Sequence, residues 1–358
     1  MIICRTPYRI SFFGGGTDYP GWYRHHGGAV LATTIDKYCY LTCRYLPPFF
    51  QHRFRVVYRK IETCTKIDEI THPTVRETLR YLGIDRGVEL HHDGDLPARS
   101  GMGSSSAFTV SLLNVLHALR GEMATKHQLA REALHIEQDV LKETVGSQDQ
   151  VLAAYGGLKH VRFQPDGEIE VSPLVLPPGR VAELKSHLLL VYTGIARTAA
   201  DVARSYVARI ETRRRQLRMM KELVDESINV LAGGLNILPF GELLHEAWLA
   251  KRSLSSIVSN PEVDDLYDRA LGAGAMGGKL TGAGGGGFLL LFAPPDRHRD
   301  ILDALDGRIH VPFEFEPSGS QIVFYEPGVD YREAEQARDR SPCSSFRELA
   351  QPDLAEAS

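Results

Sequence analysis

The segment Leu96-Pro97-Ala98-Arg99-Ser100-Gly101-Met102-Gly103-Ser104-Ser105-Ser106-Ala107 sets a glycine loop directly before a helical pattern. Glycine lets a backbone take positive φ and approach a ligand closely. The start of a helix adds unpaired N–H groups and about half a unit of positive charge. One serine is enough to cap a helix, so three behind two glycines exceed that structural need. The run is not a Walker A loop, because no Gly-Lys-Ser/Thr closes it. Gly101, Met102, Gly103, Ser104, Ser105 and Ser106 are therefore read as a candidate phosphate cradle.

The chain around this run is 358 residues long, enough for two domains or one large one. Its 41 basic and 45 acidic residues give a net charge of −4. A protein that coats nucleic acid or an anionic membrane is normally basic, so neither partner is expected. The N-terminus lacks the basic and apolar regions of a signal peptide, and no stretch approaches the ~20 apolar residues of a membrane span. The five cysteines are odd in number and scattered, as expected of reduced thiols in a cytoplasmic protein. Cys39 and Cys43 have no matching Cys or His pair at zinc-ligand spacing, so they read as core residues.

Hydrophobic periodicity places strands through residues 1–60, a short helix at Thr74–Leu82 and a strand at Val88–His92. A helix opens at Ser104, and a second is expected over Lys126–Lys142. Strands follow at Leu158–Phe163 and Ile169–Val171. The Pro-rich stretch Pro173–Gly179 reads as a domain boundary, which divides the chain into 1–178, 179–340 and a polar tail 341–358. Beyond it the spacing predicts a strand at His187–Tyr192. One long helix should then carry Val202, Tyr206, Ile210, Leu217, Val224 and Leu231 and stop at Gly233-Gly234. Helices at Phe240–Val258 and Val263–Leu271 lead to a strand at Phe288–Phe292. Arg213, Arg214, Arg215 and Arg218 read as a solvated helix face rather than an anion site.

Two further runs accompany the cradle: Thr6 to Tyr19, with Gly14-Gly15-Gly16-Thr17-Asp18, and Lys279-Leu280-Thr281 followed by Gly282 to Gly287. In this order and spacing the three resemble the motifs of the GHMP kinases, the superfamily of galactokinase, homoserine kinase, mevalonate kinase and phosphomevalonate kinase. The resemblance runs from about Cys4 to Tyr325, with Met102 in place of the usual leucine. It implies an α+β fold of two domains. The first is like the second domain of ribosomal protein S5, the second is ferredoxin-like, and the site lies in the cleft between them. It also implies ATP and Mg²⁺ as cofactors, in a monomer or homodimer. Within the superfamily, the triple glycine before Thr17-Asp18 and the run Gly146-Ser147-Gln148-Asp149-Gln150 look most like the bacterial heptose kinases. These phosphorylate C1 of D-glycero-D-manno-heptose 7-phosphate.

The resemblance assigns roles residue by residue. Asp149 matches the aspartate that faces the acceptor hydroxyl, although a turn-capping aspartate is the plainer reading. Arg9 stands where mevalonate kinase has a lysine; it stays protonated, so it is expected to clamp the phosphoryl group and hold Asp149 ionised. Glu137 shares a helix face with Ala133 and Val140, which is costly for a carboxylate without a cation. It is expected to ligate Mg²⁺ with Ser105; an ordinary ion-paired glutamate is the alternative. Gly15, Gly16, Thr17, Asp18, Gly284 and Gly285 are expected to line the sugar site. Arg197 or the His25-His26 loop would meet a distal phosphate. The rival readings are a kinase of a free sugar such as fucose or galactose, and a non-catalytic sugar sensor of the same fold. A Rossmann nucleotide binder is disfavoured because the third glycine and the ribose-binding acid are missing.

Overall fold

The computed structural model describes residues 1–195, 199–207, 210–234, 236–329 and 331–340. The strands are β1 (Ile2–Phe13), β2 (Gly28–Tyr45), β3 (Phe54–Val57), β4 (Ile61–Cys64), β5 (Val88–Gly94), β6 (Lys159–Phe163), β7 (Ile169–Pro173), β8 (Leu188–Tyr192), β9 (Gly277–Leu280), β10 (Phe288–Phe292) and β11 (Gln321–Tyr325). They form an eight-stranded sheet in the order β11-β1-β2-β5-β3-β4, with β6 pairing both β2 and β7, and a three-stranded sheet β8-β10-β9. With the intervening helices this is the α+β architecture expected.

β1 is the frame of the site. From Thr6 to Phe13 every residue is buried, so the alternation of a half-exposed strand is lost. Helix Ser104–Leu119 packs on β1 and β2, while helices Arg214–Ala232 and Pro239–Arg252 also reach β1. Phe12 and Phe13 meet Phe240 edge-on, with ring centroids 5.7 and 5.1 Å apart. The β1–β2 register slips between Pro7 and Tyr8 and again between Ser11 and Phe13. Pro7 cannot donate to a sheet ladder, and such irregularities re-aim neighbouring side chains. Arg9 lies between the two slips.

Several expectations need correction. The long helix is broken: Ala199–Val207 and Arg214–Ala232 are separate helices, with a 3-10 turn at Ile210–Arg213. Continuous apolar spacing does not reveal such a break. Lys126–Lys142 is α-helical only to Leu134 and then runs as a π-turn, His135–Val140. Phe240–Val258 ends at Arg252. The chain after residue 313 also returns to the large sheet. β11 pairs with β1, and Ile35 bridges Phe315, so this part of 179–340 does not stay with the small sheet. The arginine cluster is solvated as expected, with Arg214 paired to Glu211. The tail beyond Arg340 lies outside the described residues.

Cys4, Cys39, Cys43 and Cys64 are buried free thiols, as a core role requires. Among the described residues no helix is long and apolar enough to cross a membrane.

Candidate active site

The cradle enters helix Ser104–Leu119 through Gly103, whose φ is +75°, and no side chain caps the helix start. Gly101 also has positive φ, +81°. A Cβ on Gly103 would sit 3.2 Å from Arg9 Cγ and 3.4 Å from an Asp149 oxygen, and one on Gly101 would meet the Thr281 carbonyl at 2.6 Å. Both conformation and space therefore demand glycine here. The hydroxyl-rich helix start is left open for an anion. Met102 contributes backbone only: its side chain is fully buried, and its carbonyl accepts from the Arg9 N–H at 3.1 Å.

Arg9 reaches under this loop. Its Nη1 donates to the Gly101 carbonyl at 2.6 Å, while Nε and Nη2 donate to the two Asp149 oxygens, each at 2.7 Å. A fork-to-fork pair of this kind fixes orientation as well as charge. Asp149 is in the first turn of helix Gln148–Tyr155, where a carboxylate also gains from the helix dipole. Arg9 is buried, whereas Asp149 keeps about a quarter of its side chain open, 24%. The pair thus faces the space in front of the cradle.

Glu137 comes from the π-turn, a local widening often associated with functional positions. It is 1% exposed. One carboxylate oxygen accepts from Ser106 Oγ at 2.9 Å and from Gln150 Nε2; the other, Oε1, has no partner among the described residues. Burial pushes the acid up to about 7, and neighbouring donors, Gln150 and Ser106 among them, only partly oppose it. Among the described residues no cation pairs with it. Ser105, expected beside Glu137, is exposed, and the hydroxyl that meets Glu137 is that of Ser106. Counting along the loop could not resolve which of three serines turns inward.

The first glycine run lies beside Asp149, but most of its polar groups are used internally. The Thr17 hydroxyl donates to carbonyls of Gly14 and Ala29 and accepts from the Ala29 N–H. Thr17 therefore braces the loop and does not line an open site. Asp18 accepts from the Gly16 N–H at 2.8 Å and the Gln148 N–H at 3.3 Å, tying the loop to the Asp149 helix. Burial raises its pKa, and the nearby Asp149 charge adds to that. Gly15 remains partly open, with Ser11 and Gln148 against it; Ser11 Oγ and Gln148 Oε1 are buried without hydrogen-bond partners among the described residues.

The third run supports the cradle from the other side. Gly282 packs on Gly101 and Gly287 on the Ser100 carbonyl. Gly284 lies against the Val258 carbonyl, which accepts from the Gly285 N–H at 2.8 Å, and Asn260 donates to the Gly285 carbonyl. These two glycines are scaffold contacts. Arg197 falls outside the described residues. His25 and His26 end helix Pro20–His26 rather than forming a loop, and His26 pairs with Glu211.

Sequence reasoning left Ser11, Gln148, Lys251 and Lys279 without roles. Lys251 and Lys279 are 4% and 3% exposed. Lys279 stands in a quoted motif, and a lysine among buried positions of helix Pro239–Arg252 was the available signal for Lys251.

Two family models match: the GHMP kinases N terminal domain over residues 69–157 and the GHMP kinases C terminal domain over 230–309. A mevalonate kinase from Methanothermobacter thermautotrophicus is 31% identical over 60% of this chain and 70% of its own length. D-glycero-alpha-D-manno-heptose 7-phosphate kinase from Campylobacter jejuni is 26% identical over 85% of this chain and 93% of its own. The crystal structure of a D-glycero-D-manno-heptose 1-phosphate kinase from Bacteroides thetaiotaomicron has the same fold. Its TM-score is 0.74 at 24% identity, covering 90% of this chain and 98% of the other. An open helix start, a buried carboxylate lacking a cation and an Arg-clamped aspartate thus coincide with similarity across both halves of the chain, which belongs to the GHMP kinases and is an ATP-dependent kinase of a small-molecule acceptor.

Proposed function

We propose that the chain transfers the γ-phosphoryl group of ATP to the C1 hydroxyl of D-glycero-D-manno-heptose 7-phosphate, giving the 1,7-bisphosphate on the route to GDP-heptose, in the cytoplasm. The observation that carries the transfer chemistry is the Arg9–Asp149 pair held against Gly101 and Gly103 at the helix start. The choice of sugar is supported by similarity to the Campylobacter heptose 7-phosphate kinase over nearly the whole of both chains.

Phosphoryl transfer is governed by positioning and charge neutralisation. The backbone of residues 101–106 cradles the phosphates. Arg9 balances charge on the moving group and orients Asp149, whose open edge receives the acceptor proton. An anomeric hydroxyl is more acidic than an ordinary alcohol, so an Arg-paired carboxylate suffices. Gly15, Ser11 and Gln148 offer hydrogen bonds to sugar hydroxyls. Glu137 and Ser106 fit Mg²⁺: a buried carboxylate oxygen without a partner and an adjacent hydroxyl are hard oxygen donors. When bound there, Mg²⁺ would neutralise phosphate charge.

A coupled assay against a sugar panel tests the proposal. Turnover of the heptose 7-phosphate, with a product phosphorylated at C1 by phosphorus NMR, is expected. Turnover of fucose or galactose without the heptose phosphate would replace it with the free-sugar reading. Nucleotide binding without turnover of any sugar would favour a sensor.

A further inference from the structure

Two lysine side chains lie buried between the glycine runs. Lys251, in the last turn of helix Pro239–Arg252, donates to the Gly282 carbonyl and lies 3.4 Å from that of Leu280. Lys279, in β9, donates to the Phe12 carbonyl at 2.9 Å, just before the first glycine run. Among the described residues both hold only backbone carbonyls and neither forms an ion pair. A buried cation without a counter-ion is costly, and carbonyls could be bridged by neutral side chains instead.

The contacts form a continuous path. Lys251 grips Gly282; Gly282 packs on Gly101; the Gly101 carbonyl takes Arg9 Nη1; and Arg9 holds both oxygens of Asp149. We infer that Lys251 is a positioning residue for phosphoryl transfer, a charged clamp that seats the third glycine run on the cradle and thereby sets the Arg9–Asp149 pair. It touches neither reacting group itself.

The charged groups whose fields reach Lys251 are Arg9 from β1, Asp18 from the first glycine run and Asp149 from helix Gln148–Tyr155; the field of Lys251 in turn adds to the burial that pulls Lys279 of β9 well down. Burial, reinforced by Arg9 and opposed by Asp18 and Asp149, brings its pKa down to about 7. The clamp is therefore charged below that pH and loses its charge as pH rises through it. A charged donor holds a carbonyl more strongly than a neutral one. The value kcat/KM reports groups of the free enzyme, so it should decline on the alkaline side with this group.

The inference rests on the kinase reading but not on the choice of sugar. Transfer is measured with whichever acceptor the panel selects, together with ATP hydrolysis to water, from pH 5.5 to 9.5. Wild type should show an alkaline decline in kcat/KM. Lys251→Arg, whose guanidinium stays protonated, should keep activity and push that decline upward by at least about one pH unit. Lys251→Met should lose about tenfold or more in kcat at pH 7 and lose this limb, with little change in AMP-PNP affinity. Full activity in Lys251→Met, or a wild-type alkaline limb in Lys251→Arg, would overturn the inference. So would a wild-type profile flat to pH 9.5, which needs no variant to fold.

Discussion

Asp149 and Glu137 both serve the loop Gly101–Ser106, yet they are built in opposite ways. Asp149 has a guanidinium on both oxygens and an edge open to solvent. Glu137 is sealed in, and among the described residues it accepts from a serine and an amide and leaves one oxygen without a partner. The first is a finished device whose charge is already balanced. The second carries a cost that a cation would relieve. On the function proposed above, the two acids would divide the work: one would handle the acceptor proton and the other would hold the metal.

The largest effect expected is at Asp149. Asp149→Asn should lower kcat by about 10³-fold, within the range for a general base, while leaving AMP-PNP affinity nearly intact by calorimetry. Retained turnover would remove the residue from proton transfer. Arg9→Lys keeps a positive charge but loses the fork, and a drop of about 10²-fold in kcat is expected from single-turnover rates. A smaller loss would make charge, not orientation, its main contribution.

Glu137 should show itself in stability. Its pKa is raised from 4.5 to about 7 in the folded protein. Between those values the folded state holds a proton that the unfolded chain releases. Its contribution is thus fully present below about pH 4.5 and is lost as pH rises through 7, by on the order of 3 kcal/mol. Urea melts in Mg²⁺-free buffer should show this slope in wild type and not in Glu137→Gln. An identical slope in both would separate Glu137 from the effect. The smallest changes distinguish the serines: Ser106→Ala should raise the Mg²⁺ requirement by about tenfold, one hydrogen-bonded ligand's worth, and Ser105→Ala should leave it close to wild type. The reverse order would restore Ser105 as the ligand.

Much of this was legible in the chain. β-favouring residues between glycine turns and helical spacing located β1, β5 and helix Ser104–Leu119, and the three glycine runs pointed to the walls of the site. The Arg9–Asp149 pairing was expected, although the residues lie 140 apart. Inward or outward direction within a loop was not legible, because glycine removes the periodicity that fixes side-chain faces. The motif alone therefore does not distinguish Ser105 from Ser106 as the hydroxyl that meets Glu137. The 3-10 turn at Ile210–Arg213 is not legible because apolar spacing continues on either side of it. Motif position shows that Thr17 and Asp18 lie close to the site; hydrogen-bond accounting adds that both are buried and engaged in bracing the loop. Lys251 has no local signal beyond its burial, since its partners arrive from a loop 31 residues later.

The division between the two acids can be measured directly by titrating Mg²⁺ into Asp149→Asn and Glu137→Gln, each saturated with AMP-PNP, by calorimetry. Asp149→Asn should bind Mg²⁺ as wild type does, and Glu137→Gln should bind it about tenfold or more weakly, as expected when a metal's protein support is lost. Weakened Mg²⁺ binding in Asp149→Asn alongside wild-type binding in Glu137→Gln would contradict the assignment.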